Sequence, residues 1–300
     1  MMPQSPSIAA IVVTYRPDIA ALRMLVDALH PQVDRLWLVD NASANVESIR
    51  ALAAARGIDV MANDRNRGIG AALNQGIALA RAAGFHHVLL MDQDSLPAGD
   101  MVARLHEALM SAGEKIAAVG PVHVDARSGN AAPFVRIGFP FNRKSHSAPG
   151  EAVDCDFLIT SGCLIPMRAI DAIGDMDAGL FIDNVDLEWC FRAKAHGYRL
   201  AGVADARMTH RIGDRLHWRP GGAAIVHGPS RLYTIMRNRV LLYRRPGTPG
   251  RWIAQDIPRA VLKFLGFSLV VAPRGANIRA MLRGLRDGLA GREGPDPDVG

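Results

Sequence analysis

Hydrophobic residues fall along the first 125 positions in short continuous runs separated by longer stretches of helical spacing. Ile8 to Thr14 (IAAIVVT) is uninterrupted by charge, the pattern of a strand covered on both faces. From Pro17 and Asp18 to Leu29 the apolar positions recur at helical intervals. The alternation repeats with a strand at Arg35–Val39, a helix from Ser43 or Asn45 to about Arg56, and a short strand at Ile58–Met61. A helix over Ile69–Ala83 closed by Gly84 follows, then a strand at His87–Met91 and a fifth strand near Ala117–Val122. Repeated β-α units of this kind predict an α/β fold with a mostly parallel, doubly wound sheet flanked by helices.

Patterning then weakens. Asp125 to Gly150 has little periodicity and is rich in Gly, Pro, Ser and basic residues, which predicts a long functional or disordered loop. Apolar character returns at Phe157–Thr160, a helix is expected over Val185–His196 before Gly197, and a strand over Arg199–Val203. An amphipathic helix over Ser230–Tyr243 and further helix to about Leu289 form a helical C-terminal extension. The boundaries expected are a catalytic unit over 1–228, split near 122/123, a basic helical region over 229–290, and a disordered tail over 291–300.

Composition narrows the class. A chain of 300 residues that is 49% hydrophobic has ample material for a large core. Cys155, Cys163 and Cys190 form no CxxC pair and leave an odd thiol, which argues against a zinc site or a disulfide scaffold and suits a reducing compartment. No secretory signal is visible, and the most apolar late stretch, Val261–Ala272, is too short to span a bilayer and contains Lys263. A cytoplasmic protein, at most peripheral on the inner face of the membrane, is expected. From Arg231 onward thirteen Lys/Arg oppose five Asp/Glu, so this segment carries +8 in a chain whose total is +6. Anionic lipid or a solvated surface fits that excess. Nucleic acid does not, because no stacking-aromatic pattern accompanies it.

Four segments carry candidate chemistry. Asp92-Gln93-Asp94 follows an apolar strand, where two carboxylates can converge on one hard divalent cation together with phosphate oxygens; the bland reading is a polar turn. Asp186, in the first turn of the Val185 helix, is placed to stay ionised and accept a proton, with Asp183 and Glu188 within a turn of it; ordinary helix-terminal charge is the alternative. His210 could complete a cation's shell, although His196, His217 and His227 compete on composition alone. Asn66 to Gly76 (NRGIGAALNQG) places glycines before a helix, as phosphate approach requires. It is neither a Walker loop nor a dinucleotide fingerprint.

Taken in order, these pieces resemble family 2 glycosyltransferases of the GT-A fold, especially bacterial rhamnosyltransferases of surface-polysaccharide assembly. The resemblance covers Ile8 to Tyr243. It rests on Ile11-Val12-Val13-Thr14-Tyr15, Leu38-Val39-Asp40-Asn41, Asn66–Gly76, Met91-Asp92-Gln93-Asp94-Ser95, Thr160-Ser161-Gly162, the Asp186 helix, His210 and Arg231-Leu232-Tyr233…Arg237-Asn238. It implies that Thr14, Tyr15 and Arg16 border the nucleotide and that Asp40 accepts the imide N–H of uracil or thymine. Asn66, Gly68 and Asn74 would line the donor site, Asp92 would face the ribose or the metal, and Asp94 and His210 would ligate the metal. Asp186 would be the catalytic base, with Val185 standing where the family carries Glu. Ser161, Gly162, Asp183, Glu188 and Trp189 would contact acceptor or donor sugar. The activity implied is inverting transfer from a dTDP- or UDP-sugar, with dTDP-L-rhamnose first among donors, assisted by Mg²⁺ or Mn²⁺. The acceptor implied is a lipid-linked glycan or polysaccharide, as in O-antigen and cell-envelope synthesis. A family 2 transferase of another sugar (galactose, glucose or an N-acetylhexosamine) is the first alternative; a nucleotidyltransferase and an inactive nucleotide-sugar-binding scaffold are the further rivals.

Overall fold

The computed structural model describes residues 7–126, 129–145, 150–210, 216–219, 222–225 and 227–298; for His210 and residues 216–219 and 222–225 it describes the backbone alone. The first half follows the predicted alternation closely. Strands β1 (Ile8–Thr14), β2 (Arg35–Asp40), β3 (Asp59–Ala62) and β4 (His87–Asp92) are separated by helices α1 (Ile19–Leu29), α2 (Val46–Ala54) and α3 (Ile69–Ala82). Asp18 caps α1 by accepting the Ala21 N–H at 2.8 Å, which places the helix start where the apolar spacing begins. Next come β5 (Ser95–Pro97), α4 (Met101–Ser111) and β6 (Ile116–Asp125). A small hairpin, β7 (Phe134–Arg136) with β8 (Arg143–Ser145), lies inside the aperiodic stretch. It is followed by β9 (Ala152–Cys155), β10 (Cys163–Pro166), α5 (Met167–Ile173), α6 (Val185–Ala195) and β11 (Arg199–His210). The pair β12 (Leu216–Arg219) and β13 (Gly222–Ile225) precedes helices α7 (Pro229–Arg244), α8 (Gly250–Leu269) and α9 (Arg274–Leu289).

One sheet runs in the order β3-β2-β1-β4-β10-β6-β11-β5, with β9 also paired to β11. From β3 to β4 it is parallel, as predicted. Beyond β4 the sheet is mixed: β10 runs antiparallel to both β4 and β6, and β11 is parallel to β6 but antiparallel to β5 and β9. Phe157–Thr160, where apolar character returns, is a connection between β9 and β10.

Residues of β1 alternate between two cores. Ala9, Ile11 and Val13 join the side covered by α3, α5 and α6, whereas Ile8, Ala10 and Val12 join the side covered by α1, α2 and α4. Both faces are dry, which is why the run carries no polar alternation. Gly76 lets α3 approach β1, since a Cβ there would meet the Ile11 side chain at 2.3 Å. The three cysteines are buried thiols.

The expected disordered tail is a correction. Residues 291–298 fold back over the helices: the Gly294 N–H donates to Gly179 O at 2.8 Å, Glu293 meets Arg245 at 2.5 Å, and Asp296 is buried against Arg283 at 3.1 Å. The reason is charge. The acids of this Gly/Pro-rich stretch neutralise Arg245, just past α7, and Arg283 of α9.

Candidate active site

The carboxyl ends of β1 and β4 open onto a cleft of about 470 Å³. Its lining brings together Tyr15, Asn66, Gly68, Asp92, Asp94, Asp183 and Asp186 from four separate segments of the chain. In parallel sheets this is where ligands bind, because the strand ends leave room between diverging loops.

Each wall is built by identifiable bonds. Gln93, between the two acids, grips the Tyr15 backbone by accepting its N–H at 2.7 Å and donating to its carbonyl at 3.1 Å. Ser161 Oγ accepts the Asp92 N–H at 3.0 Å and shares a hydrogen bond with Ser95 Oγ at 2.8 Å. Asn41 organises the opposite wall: its amide nitrogen donates to Asn66 Oδ1 at 2.9 Å and Gly68 O at 3.1 Å, and its oxygen accepts the Arg67 N–H at 2.9 Å. Gly68 has φ +83°, and a Cβ there would lie 2.5 Å from Phe181 O. Only glycine lets this loop meet the 178–184 segment.

That segment is held in unusual backbone. Phe181, Asp183 and Asn184 all have φ near +64°, a region non-glycine residues seldom occupy. Asn238 of α7 holds it there, its amide nitrogen lying 2.8, 2.6 and 2.9 Å from the carbonyls of Leu180, Ile182 and Asp183. Arg237 adds a bond to Leu180 O at 3.0 Å and a second to Gly294 O. Strain fixed by so many partners clusters where geometry matters for function.

Electrostatically the cleft is acidic. Burial, with repulsion from Asp94 and then Asp186, lifts the Asp92 carboxyl to about 7. Burial also lifts Asp186 to about 6, although the Leu187 N–H, donated to its Oδ1 at 2.8 Å, pulls the other way. Asp183 Oδ1 pairs with Arg231 at 3.1 Å, and its Oδ2 is buried without a hydrogen-bond partner. Among the described residues no group of three His, Cys, Asp or Glu side chains is assembled as a complete metal site. The chemistry of the donor set nevertheless fits a divalent cation of the Mg²⁺ or Mn²⁺ type. Such ions are commonly held by one or two carboxylates plus substrate phosphates, and Asp92, Asp94 and Asp186 bring carboxylates to one cleft.

The structure sorts the sequence expectations by depth. Tyr15, Asn66, Gly68, Asp92, Asp94, Asp183 and Asp186 line the cleft. Arg16 is exposed beside Tyr15, its guanidinium 5.0 Å from the ring centre. His210 ends β11 with its backbone opposite Ser95, one residue from Asp94; its side chain lies outside the described residues, as does that of His217. The others sit behind the walls. Asp40 is buried and accepts hydrogen bonds from Thr14 Oγ1 at 2.8 Å, Ser43 N at 2.8 Å and Ser43 Oγ at 2.5 Å, so Thr14 and Asp40 brace the strand ends. Asn74 exchanges two bonds of 2.9 Å with the Met176 backbone. Ser161 and Gly162 are buried supports beneath Asp92, the latter donating its N–H to Leu90 O at 2.7 Å. Glu188 is buried and bound through both oxygens to Arg192, and Trp189 is buried with Nε1 donating to Gly174 O at 2.9 Å. Neither reaches the cleft lining. Sequence reasoning gave no individual role to Arg231, Asn41 or Gln93. The signal for Arg231 was its place in the first turn of α7, a cation at a helix start where charge is otherwise disfavoured.

Comparison with known proteins identifies the family. Residues 9–172 match the model of the family described as glycosyl transferase family 2. The chain is 29% identical over 290 residues to the dTDP-rhamnosyl transferase RfbF of Shigella flexneri, covering 96% of each chain. Among solved structures it is similar to GalNAc-T7 with UDP, GalNAc and Mn²⁺, with a TM-score of 0.61 and 14% identity. That match covers 96% of this chain but spans only 56% of the other, and it speaks for the GT-A architecture alone. The family match takes in β1 through α5, including β1 and β4 whose ends open onto the cleft, and the chain belongs to glycosyl transferase family 2 as a glycosyltransferase.

Proposed function

We propose that the chain is an inverting, metal-assisted transferase that moves L-rhamnose from dTDP-L-rhamnose to a hydroxyl of a lipid-linked or polysaccharide acceptor. The observation that carries the catalytic part is the meeting of Asp92, Asp94 and Asp186 in one cleft. The choice of sugar is supported by the likeness to a dTDP-rhamnosyl transferase over nearly the whole chain.

In this reading the anomeric carbon of the donor lies between Asp186 and the Asp92–Asp94 wall. The acceptor oxygen bonds to that carbon as the bond to the diphosphate oxygen breaks. The bonding pair leaves with the nucleoside diphosphate, and the acceptor proton passes to an Asp186 oxygen. A carboxylate titrating at about 6 is ionised at neutral pH and still more basic than an ordinary one. Asp94, with Asp92 and His210, would hold the cation, which would supply charge neutralisation for the departing diphosphate. Arg231, fixed by Asp183, offers a guanidinium to the same anion.

The test is a melting-temperature panel of nucleotide sugars with and without Mn²⁺. Stabilisation by dTDP-rhamnose that requires the cation is expected. Stabilisation by a UDP-hexose instead would overturn the sugar assignment, and indifference to every nucleotide sugar would overturn the donor site.

A further inference from the structure

The outer face of α8 is apolar, and nothing among the described residues covers it. Ile257, Val261, Leu262, Leu265 and Leu269 are between 46% and 69% exposed. At helical spacing they share an arc of roughly 140° with Ala254 and Pro258, also exposed. A second element continues this surface. The β7–β8 connection is anchored to the first half of α8 by Gln255, whose amide donates to Gly138 O, and its tip exposes Phe139 at 67% and Phe141 at 82%. Exposed leucines and phenylalanines in such number are unusual for a surface facing only water.

The rim of this surface is cationic. Arg136, Arg143 and Arg251 surround the phenylalanines, Arg259 flanks the helix, and Arg274 follows its end; all five are exposed. The neighbouring acids are already engaged: Asp256 is buried between Tyr243 and Arg239, and Asp156 binds Lys194. A second copy of this chain would bring the same arginines against the same rim, because a two-fold contact pairs each patch with itself. An anionic bilayer takes both parts, the leucines among its acyl chains and the arginines against its headgroups. Among the described residues no helix is long and apolar enough to cross a membrane, so the element would lie flat, along about 30 Å of bilayer for twenty residues.

We propose that α8 and the Phe139–Phe141 tip form a docking face for an anionic lipid surface. Lys263, on the opposite side of α8, lies within electrostatic reach of Asp183 and Arg231 at the cleft. Docking therefore sets the cleft about one helix diameter, on the order of 10 Å, from the headgroups. That corollary, that the acceptor is presented from the membrane, rests on the proposed function; the docking itself does not.

Sedimentation with vesicles tests it, using the full chain without donor at near-physiological salt. Vesicles of phosphatidylcholine containing phosphatidylglycerol should retain the protein, and phosphatidylcholine alone should retain it far less, by roughly fivefold for each arginine engaged. The exposed double variant Leu262→Gln/Leu265→Gln should bind roughly a hundredfold more weakly with an unchanged melting curve. Phe141→Ser, on the separate loop, should weaken binding in the same sense. Equal sedimentation of wild type and variants, or none with anionic vesicles, overturns the proposal. So does a wild-type dimer in ultracentrifugation that the leucine variant abolishes while neither protein binds vesicles. A nucleotide-sugar melting shift measured on the same preparation stands or falls separately.

Discussion

Replacing Asp186 by Asn should disable the protein and stabilise it at once. Burial raises this carboxyl from its ordinary 3.8 to about 6. The folded value lies above the unfolded one, so ionisation costs the folded state nothing below pH 4 and progressively more as the pH rises through 6. At pH 7 the full cost is at most about 3 kcal/mol. Asparagine has the same shape, keeps an oxygen to accept the Leu187 N–H, and carries no charge to desolvate. In buffer with EDTA at pH 7 the variant should melt several degrees above wild type, and the difference should vanish near pH 4. Transfer, followed by release of nucleoside diphosphate with the cation restored, should fall about a hundred- to ten-thousand-fold, as expected for loss of a general base. A variant that melts at or below wild type at pH 7 would refute the burial argument. One that keeps full activity would refute the assignment of the base.

Two further outcomes follow from groups away from the cleft. Asn238→Asp turns a buried donor toward three carbonyls into an acceptor, and should cost about 2–4 kcal/mol in a urea titration while raising the donor KM through the loosened 180–183 backbone; unchanged stability would show that the segment holds itself. His87 is buried, and burial, with His106, Arg168 and His86 adding repulsion, lowers its imidazole from 6.5 to about 4. The unfolded chain therefore takes up this proton first, and up to about 3 kcal/mol of stability is lost as the pH falls from 6.5 to 4. His87→Gln should flatten that slope in urea titrations at several pH values, and parallel slopes would refute it.

What the sequence revealed, it revealed through depth of burial. β1, β2 and β4 were legible because both their faces are dry and their runs admit no polar residue. β5 and β10, with three and four residues, offer no period to read, and the antiparallel insertion of β10 beside β4 depends on contacts far away in sequence. The same limit governed the site. That Asp92, Asp94 and Asp186 face one cleft was legible because a strand end and a helix start each fix which way a carboxylate projects. Asp40, at a strand end like Asp92, bends back to Thr14 and Ser43, and nothing in its local sequence distinguishes the two situations. Glu188 and Trp189 share the helix of Asp186 but face inward, a difference the weakly amphipathic composition of α6 hides. The tail misled because its proline and glycine content outweighed three acids whose partners are known only once α7 and α9 are placed.

The buried cysteines have a practical consequence. Cys163 and Cys190 lie directly under Asp186, around a void too small for more than about one water, and burial drives both thiols far toward the protonated form. They are thus shielded twice, by exclusion of reagent and by lack of thiolate. Any chemical labelling of them in the folded protein reports moments when the floor beneath the base swings open, a clock for breathing motions that needs no engineered probe.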